Sequence, residues 1–175
     1  VIAAPGCGKS RLRQELVRRA LARKDALAVL STVGDPSASG CAYALLATVL
    51  RRQCGLDASA PATKQQQALV AYMARTHPQA QSELHVEFLA ELCAIPFLPA
   101  PDPAGPAATS SDPVSPRGNV VEDAAYPRLR SARQSPSLMA DQIAAAFTTW
   151  IRLECQLQPV LFVVEDLHAA DVESV

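Results

Sequence analysis

The sequence predicts an α/β domain, a parallel sheet with helices packed on its faces. Three observations carry that expectation. The stretches Ala26–Leu30 and Val160–Val164 are short, continuous apolar runs, the mark of strands covered on both faces in a parallel sheet. Between them apolar residues recur at helical spacing. The opening Val1-Ile2-Ala3 is a third apolar stretch, and it runs into a glycine-rich turn and then a helix.

Composition bounds the rest. At 175 residues and 49% apolar, the chain can bury a sizeable core and suits one domain, residues 1–175. Sixteen basic against seventeen acidic residues leave a formal charge of -1, with no electrostatic footprint for nucleic acid or an anionic membrane. The cysteines, Cys7, Cys41, Cys54, Cys93 and Cys155, are odd in number and unpaired in spacing, which argues against a disulfide framework or a zinc site and for a reducing cytoplasm. No apolar run approaches the roughly 20 residues that span a bilayer, and no signal-peptide pattern is present. The chain opens inside a motif without an initiator Met, so it reads as a piece of something longer.

In order, the first helix follows Ser10, with Leu12, Leu16, Val17, Ala20 and Leu21 on its apolar side and arginines on a solvated face. The strand Ala26–Leu30 leads to the turn Gly34-Asp35-Pro36, where Asp35 either caps the turn or approaches a ligand at the sheet's carboxyl edge. Tyr43, Leu46, Val49, Leu50 and Cys54 form a second helical stripe ended by Gly55. Pro61 opens a third helix with Leu69, Val70 and Met73 inward, stopped at His77-Pro78, and Leu84, Phe88, Leu92 and Ile95 form a fourth. His77 and His85 stand without carboxylate or cysteine company at ligand spacing, so they read as surface or packing residues. Residues 96–127 shift to Pro, Ala, Ser, Gly and Asp, a composition that cannot offset its ordering entropy and predicts a flexible insertion. Arg128, Arg130 and Arg133 then precede a long helix with Leu138, Ile143, Phe147, Trp150, Ile151 and Leu157 on one face.

Chemistry concentrates at the two ends. In Ala3-Ala4-Pro5-Gly6-Cys7-Gly8-Lys9-Ser10-Arg11, glycines at 6 and 8 let the backbone curl with N–H groups inward, and the following helix adds its unpaired N–H groups and positive dipole end. This is a cradle for a polyphosphate formed by residues 5–11. Lys9 reaches the terminal phosphates as a point charge, and the Ser10 hydroxyl is placed to ligate a bridging Mg²⁺. Ala3 stands where the full pattern wants glycine. At the other end, the strand Val160–Val164 delivers Glu165 and Asp166 at its carboxyl end. Glu165 would hold the magnesium shell opposite Ser10 while Asp166 orients or deprotonates the attacking water. One residue of register exchanges the two roles, so each acid is a candidate metal ligand.

These two segments, Gly-Cys-Gly-Lys-Ser-Arg-Leu and Pro-Val-Leu-Phe-Val-Val-Glu-Asp-Leu-His-Ala-Ala-Asp, resemble the Walker A and Walker B segments of the STAND-type AAA-like ATPase modules of bacterial signalling proteins. The middle, with Gly34-Asp35-Pro36 and Arg133-Gln134 through Leu138-Met139-Ala140-Asp141-Gln142-Ile143, is similar to the branch linked to serine/threonine protein kinases. Ala169 departs from the tryptophan usual in relatives. The resemblance implies a three-layer P-loop NTPase sandwich of about five parallel strands, of which three are legible here. It implies ATP and Mg²⁺ as ligands, a cytoplasmic setting, an attached kinase, cyclase or regulator with helical repeats as partners, and a nucleotide-dependent oligomer as an option.

The function expected is an ATP-binding, slowly hydrolysing switch that gates an effector. The alternative is a scaffold that holds nucleotide without turnover. A GTPase would want Asn-Lys-x-Asp and a transporter ATPase Leu-Ser-Gly-Gly-Gln, and neither string occurs. With the fourth strand, its polar sensor and any catalytic arginine expected beyond Val175, the fragment is expected to be marginally stable and catalytically weak.

Overall fold

The computed structural model describes residues 4, 6–23, 26–38, 42–80, 83–96, 126–171 and 174. The expected strand Val1–Ala3, Pro5 of the loop, Cys41 and the insertion over 97–125 lie outside the described residues. The fold is α/β, with a two-stranded parallel sheet flanked by helices among the described residues.

Strand β1 (Ala28–Val33) pairs with β2 (Val160–Glu165) in parallel, Ala28 beside Val160 and Val33 beside Glu165. Partners so distant in sequence need a crossover, which here is the helical middle of the chain. Two expectations are corrected. β1 starts at Ala28 rather than Ala26 and runs past Leu30 through Ser31, Thr32 and Val33. Each added residue has a partner in β2, and Thr32, buried, donates its hydroxyl to the Leu45 carbonyl at 3.4 Å. A buried polar group with a partner is tolerated, and β-branched Thr and Val suit a strand. β2 is half-buried rather than fully buried, and Phe162 is exposed, so among the described residues its faces are only partly covered.

The chain divides into two compact units, Val1–Gln53 with Trp150–Val175, and Cys54–Thr149. The first holds the sheet, α1 (Lys9–Ala22) and α2 (Ala44–Cys54). α2 buries Leu45, Val49 and Leu50, one residue off the expected stripe at Leu46, and Gly55 follows it at φ 65°. α1 departs further. No residue of α1 is buried, and Leu12, Leu16 and Leu21 are each more than half exposed, so the amphipathic pattern is present without a covering layer among the described residues.

The second unit is helical, with α3 (Ala62–Thr76), α4 (Val86–Leu92), α5 (Pro127–Arg133) and the start of α6 (Pro136–Leu157), which continues into the first unit. Its core holds Leu69, Met73, Phe88 and Leu89, each 1% exposed or less. Burial of one such side chain contributes about 1.5–3 kcal/mol. The stretch 128–133, expected to precede the long helix as an arginine patch, is itself a helix, opened by Pro127 at its first position, where a missing N–H costs nothing. Arg133 pairs with Glu91, and Arg128 Nη1 lies 3.0 Å from His85 Nε2, so part of the positive charge is met locally. His77 is buried and caps α3 through its N–H to the Met73 carbonyl at 2.8 Å, a packing role. Along α6, Ile143 and Trp150 are buried as expected, while Leu138 and Leu157 are exposed. Among the described residues no helix is long and apolar enough to cross a membrane.

Candidate functional site

The glycine loop has the backbone that its sequence requires. Gly6 and Gly8 sit at φ 81° and 78°, in the left-handed region. A Cβ at either would meet nothing within 4 Å, so the demand for glycine is conformational and not steric. α1 starts directly at Lys9, with Gly8 as its N-cap, no side-chain cap and no acidic residue in its first turn. The first N–H groups of any helix lack partners within it, so this end presents donors and a positive dipole with nothing of the helix's own to satisfy them. Lys9 donates from Nζ to the Ala4 carbonyl at 3.0 Å, which folds the ammonium back across the loop. Cys7, Ser10 and Arg11 are exposed around it.

The second half lies at the carboxyl end of β2. Glu165 is fixed twice. Its carbonyl accepts the Gly34 N–H at 2.8 Å, and its carboxylate Oε1 accepts Arg13 Nη1 at 2.5 Å. Arg13 follows Lys9 by four residues and Ser10 by three, so all three share a face of α1. Through this ion pair the loop helix and the acid of the far strand are brought together. Asp166, next in the chain, is exposed, and its carboxylate has no hydrogen-bond or ion-pair partner among the described residues. Its φ of 48° is a left-handed conformation that aspartate tolerates better than most residues. It opens the short turn Leu167–Ala169, whose Ala169 N–H donates to the Asp166 carbonyl at 2.8 Å.

Asp35 takes the capping role of the two that the sequence left open. Its carboxylate accepts the Ser37 hydroxyl at 2.7 Å and the Ser37 N–H at 2.8 Å, and those bonds hold its pKa below the usual carboxylate value.

Three residues to which the sequence assigned no such role hold this edge together. Gly34 has no room for a side chain: a Cβ would run into the Asp166 carbonyl and the backbone of Ala169 and Ala170. Asp171 is buried, and its carboxylate accepts the N–H groups of Tyr43 at 2.8 Å and Leu45 at 3.1 Å, capping α2 from a remote part of the chain. Burial pushes its pKa up, but hydrogen bonding, including the N–H groups of Leu45 and Tyr43, outweighs that and leaves it lowered. Tyr43 is held there at φ 62°. Arg13 is the third. Its helical spacing from Lys9 and Ser10 was a usable signal, masked by the number of arginines around it. Asp171 gave no local signal, since its partners are far away in sequence.

The residue types here are ones that a polyphosphate with a magnesium ion would use. An uncapped glycine-loop helix end supplies donors and Lys9 a cation, while hydroxyl and carboxylate oxygens of Ser10, Glu165 and Asp166 are hard ligands of the type magnesium takes. Among the described residues no group of three or more His, Cys, Asp or Glu stands together as a metal cage. A metal here would therefore share these few oxygens with phosphate and water, as magnesium does in phosphate sites. Comparison with protein-family models, curated proteins and solved structures gives no match to this chain.

Proposed function

We propose that the chain is the nucleotide-binding part of a P-loop ATPase of the STAND type, an ATP-binding and slowly hydrolysing switch in a bacterial signalling protein, coupled to a serine/threonine kinase or similar effector. The single observation that carries the reading is the Arg13–Glu165 ion pair, which joins a left-handed glycine loop and its helix to the acids that end β2. A parallel pair formed by the strand after the loop helix and the acid-bearing strand agrees with a P-loop sandwich in which further strands complete the sheet.

In this reading the loop N–H groups and Lys9 bind the phosphates, and Ser10 and Glu165 hold the metal. Asp166, exposed and with a carboxylate unpartnered among the described residues, accepts the proton of the attacking water. Magnesium, when bound, neutralises charge on the phosphate oxygens. The base is ATP's by resemblance. A second reading, nucleotide held without turnover, draws on the engagement of Glu165 by Arg13, which leaves Asp166 as the free acid.

Titration with a fluorescent ATP analogue tests the site. Lys9→Ala is expected to weaken binding roughly 10- to 150-fold, the loss of a charge-assisted bond. Bound nucleotide should also shield the Cys7 thiol, exposed on the loop, from alkylation. Unchanged affinity in Lys9→Ala refutes the site. Asp166→Asn divides the two readings: a switch loses hydrolysis and keeps binding, whereas a scaffold has no hydrolysis to lose.

A further inference from the structure

Glu165 is preorganised before any ligand arrives. Its main chain is pinned by the Gly34 N–H at 2.8 Å, which leaves the side-chain torsions as its remaining freedom, and Arg13 removes that freedom. The contact runs from one guanidinium nitrogen to one carboxylate oxygen, Oε1, so Oε2 carries no bond to Arg13. Both side chains are about two-thirds buried, at 34% and 29% exposure, where an ion pair is less screened than on an open surface. Arg13 Nε lies buried with no hydrogen-bond partner, so no second acceptor competes at that nitrogen for the guanidinium.

We propose that Arg13 is a positioning residue for Glu165: it ties the carboxylate to the helix that carries Ser10, so that Oε2 and the Ser10 hydroxyl are held as a pair for the metal of a bound nucleotide. The inference rests on the nucleotide reading above and adds a role that the loop motif does not contain. Carboxylates that ligate metals are oriented by such outer partners, whose loss weakens metal binding roughly 10- to 100-fold. A different role makes the opposite prediction. If Arg13 were only a counter-ion that the metal must displace, removing it would tighten the metal.

The test measures binding of a fluorescent ATP analogue to the intact chain as Mg²⁺ is titrated, with Mn²⁺ as a spin probe of the ion itself. In Arg13→Ala the metal concentration for half-maximal binding should rise roughly 10- to 100-fold, while nucleotide binding in excess chelator stays within about twofold. Arg13→Lys, which keeps the charge but not the fork, should recover most of the loss. In a Glu165→Gln background, adding Arg13→Ala should cause no further rise, because the target of positioning is gone. Should Arg13→Ala fail to fold, Arg13→Gln, which removes the charge and keeps most of the stem, takes its place in the wild-type and Glu165→Gln backgrounds. An unchanged or lowered metal midpoint in the charge-removing Arg13 variant overturns the proposal and leaves the nucleotide reading standing. Wild-type protein that binds no nucleotide, or a Lys9→Ala variant that binds like wild type, overturns both.

Discussion

At the scale of single residues, the carboxyl edge of the sheet is held by charges that meet backbone. Asp171 shows the logic. It caps α2 with two N–H bonds and holds Tyr43 in the left-handed region, and its carboxyl titrates below its ordinary value. A carboxyl lowered in the folded state stabilises fully above its unfolded pKa, about 3.9, and that contribution fades as pH falls through the folded value. An amide can accept only one of the two N–H groups, so Asp171→Asn should cost about 1.5–3 kcal/mol near neutral pH, the worth of a hydrogen bond to a charged group. The difference between variant and wild type should shrink below about pH 4. Thermal melts of both proteins across that range make the check, and a difference that stays constant into acid would show that the carboxylate charge is not what the site uses. Arg13 belongs to the same scale: one side chain, placed by helical spacing, decides which acid is held and which is left free.

At the scale of elements, a glycine and a helix face carry opposite predictions. Gly34→Ala sets a methyl group against the backbone of Asp166, Ala169 and Ala170, none of which can swing away as a side chain would. The expected loss is about 1–3 kcal/mol, the usual cost of overpacking, and a melt with unchanged midpoint would mean that the turn after β2 is free to move. On α1, Leu16→Ala should change stability by less than about 0.5 kcal/mol, as for any exposed position, although its place in an apolar stripe argues for several times that. A fall of 2 kcal/mol or more, the range for a buried leucine, would show that the face is covered in solution. The same contrast explains what was legible in the sequence. The glycine loop, Gly55, the break at His77-Pro78 and the apolar faces around Leu69, Phe88 and Trp150 depend on local conformation and periodicity, which the sequence carries directly. The extension of β1 through Ser31 and Thr32 depends on having β2 as a partner, and the exposure of α1 depends on what covers it. Neither is written in the segment concerned. The burial of Glu154, 2% exposed and accepting Trp150 Nε1 at 2.9 Å, is equally a matter of context.

At the scale of the whole molecule, stability is distributed between two units of different construction. The helical unit, Cys54–Thr149, has side chains at 0–1% exposure on α3 and α4, whereas the unit with the sheet includes a helix that buries nothing. Proteins open first where apolar burial is thin. The chain has one tryptophan, Trp150, which is fully buried and opens the segment of α6 that belongs to the sheet-bearing unit, so its fluorescence follows that segment, while far-UV circular dichroism also reads the helical unit. Fluorescence is expected to show the lower unfolding midpoint. Phe88→Ala, a core truncation worth about 3–5 kcal/mol, should lower the dichroism midpoint more than the fluorescence midpoint. Under the proposed function, magnesium and ATP at about a hundred times the dissociation constant should do the reverse, adding about 2.7 kcal/mol to the unit with the glycine loop. Because α6 contributes residues to both units, the two transitions need not be widely spaced, and the differential shifts are the decisive readout. Midpoints that coincide and move together under both perturbations would show one cooperative body, in which ligand at the glycine loop is felt as strongly at Phe88 as at Trp150.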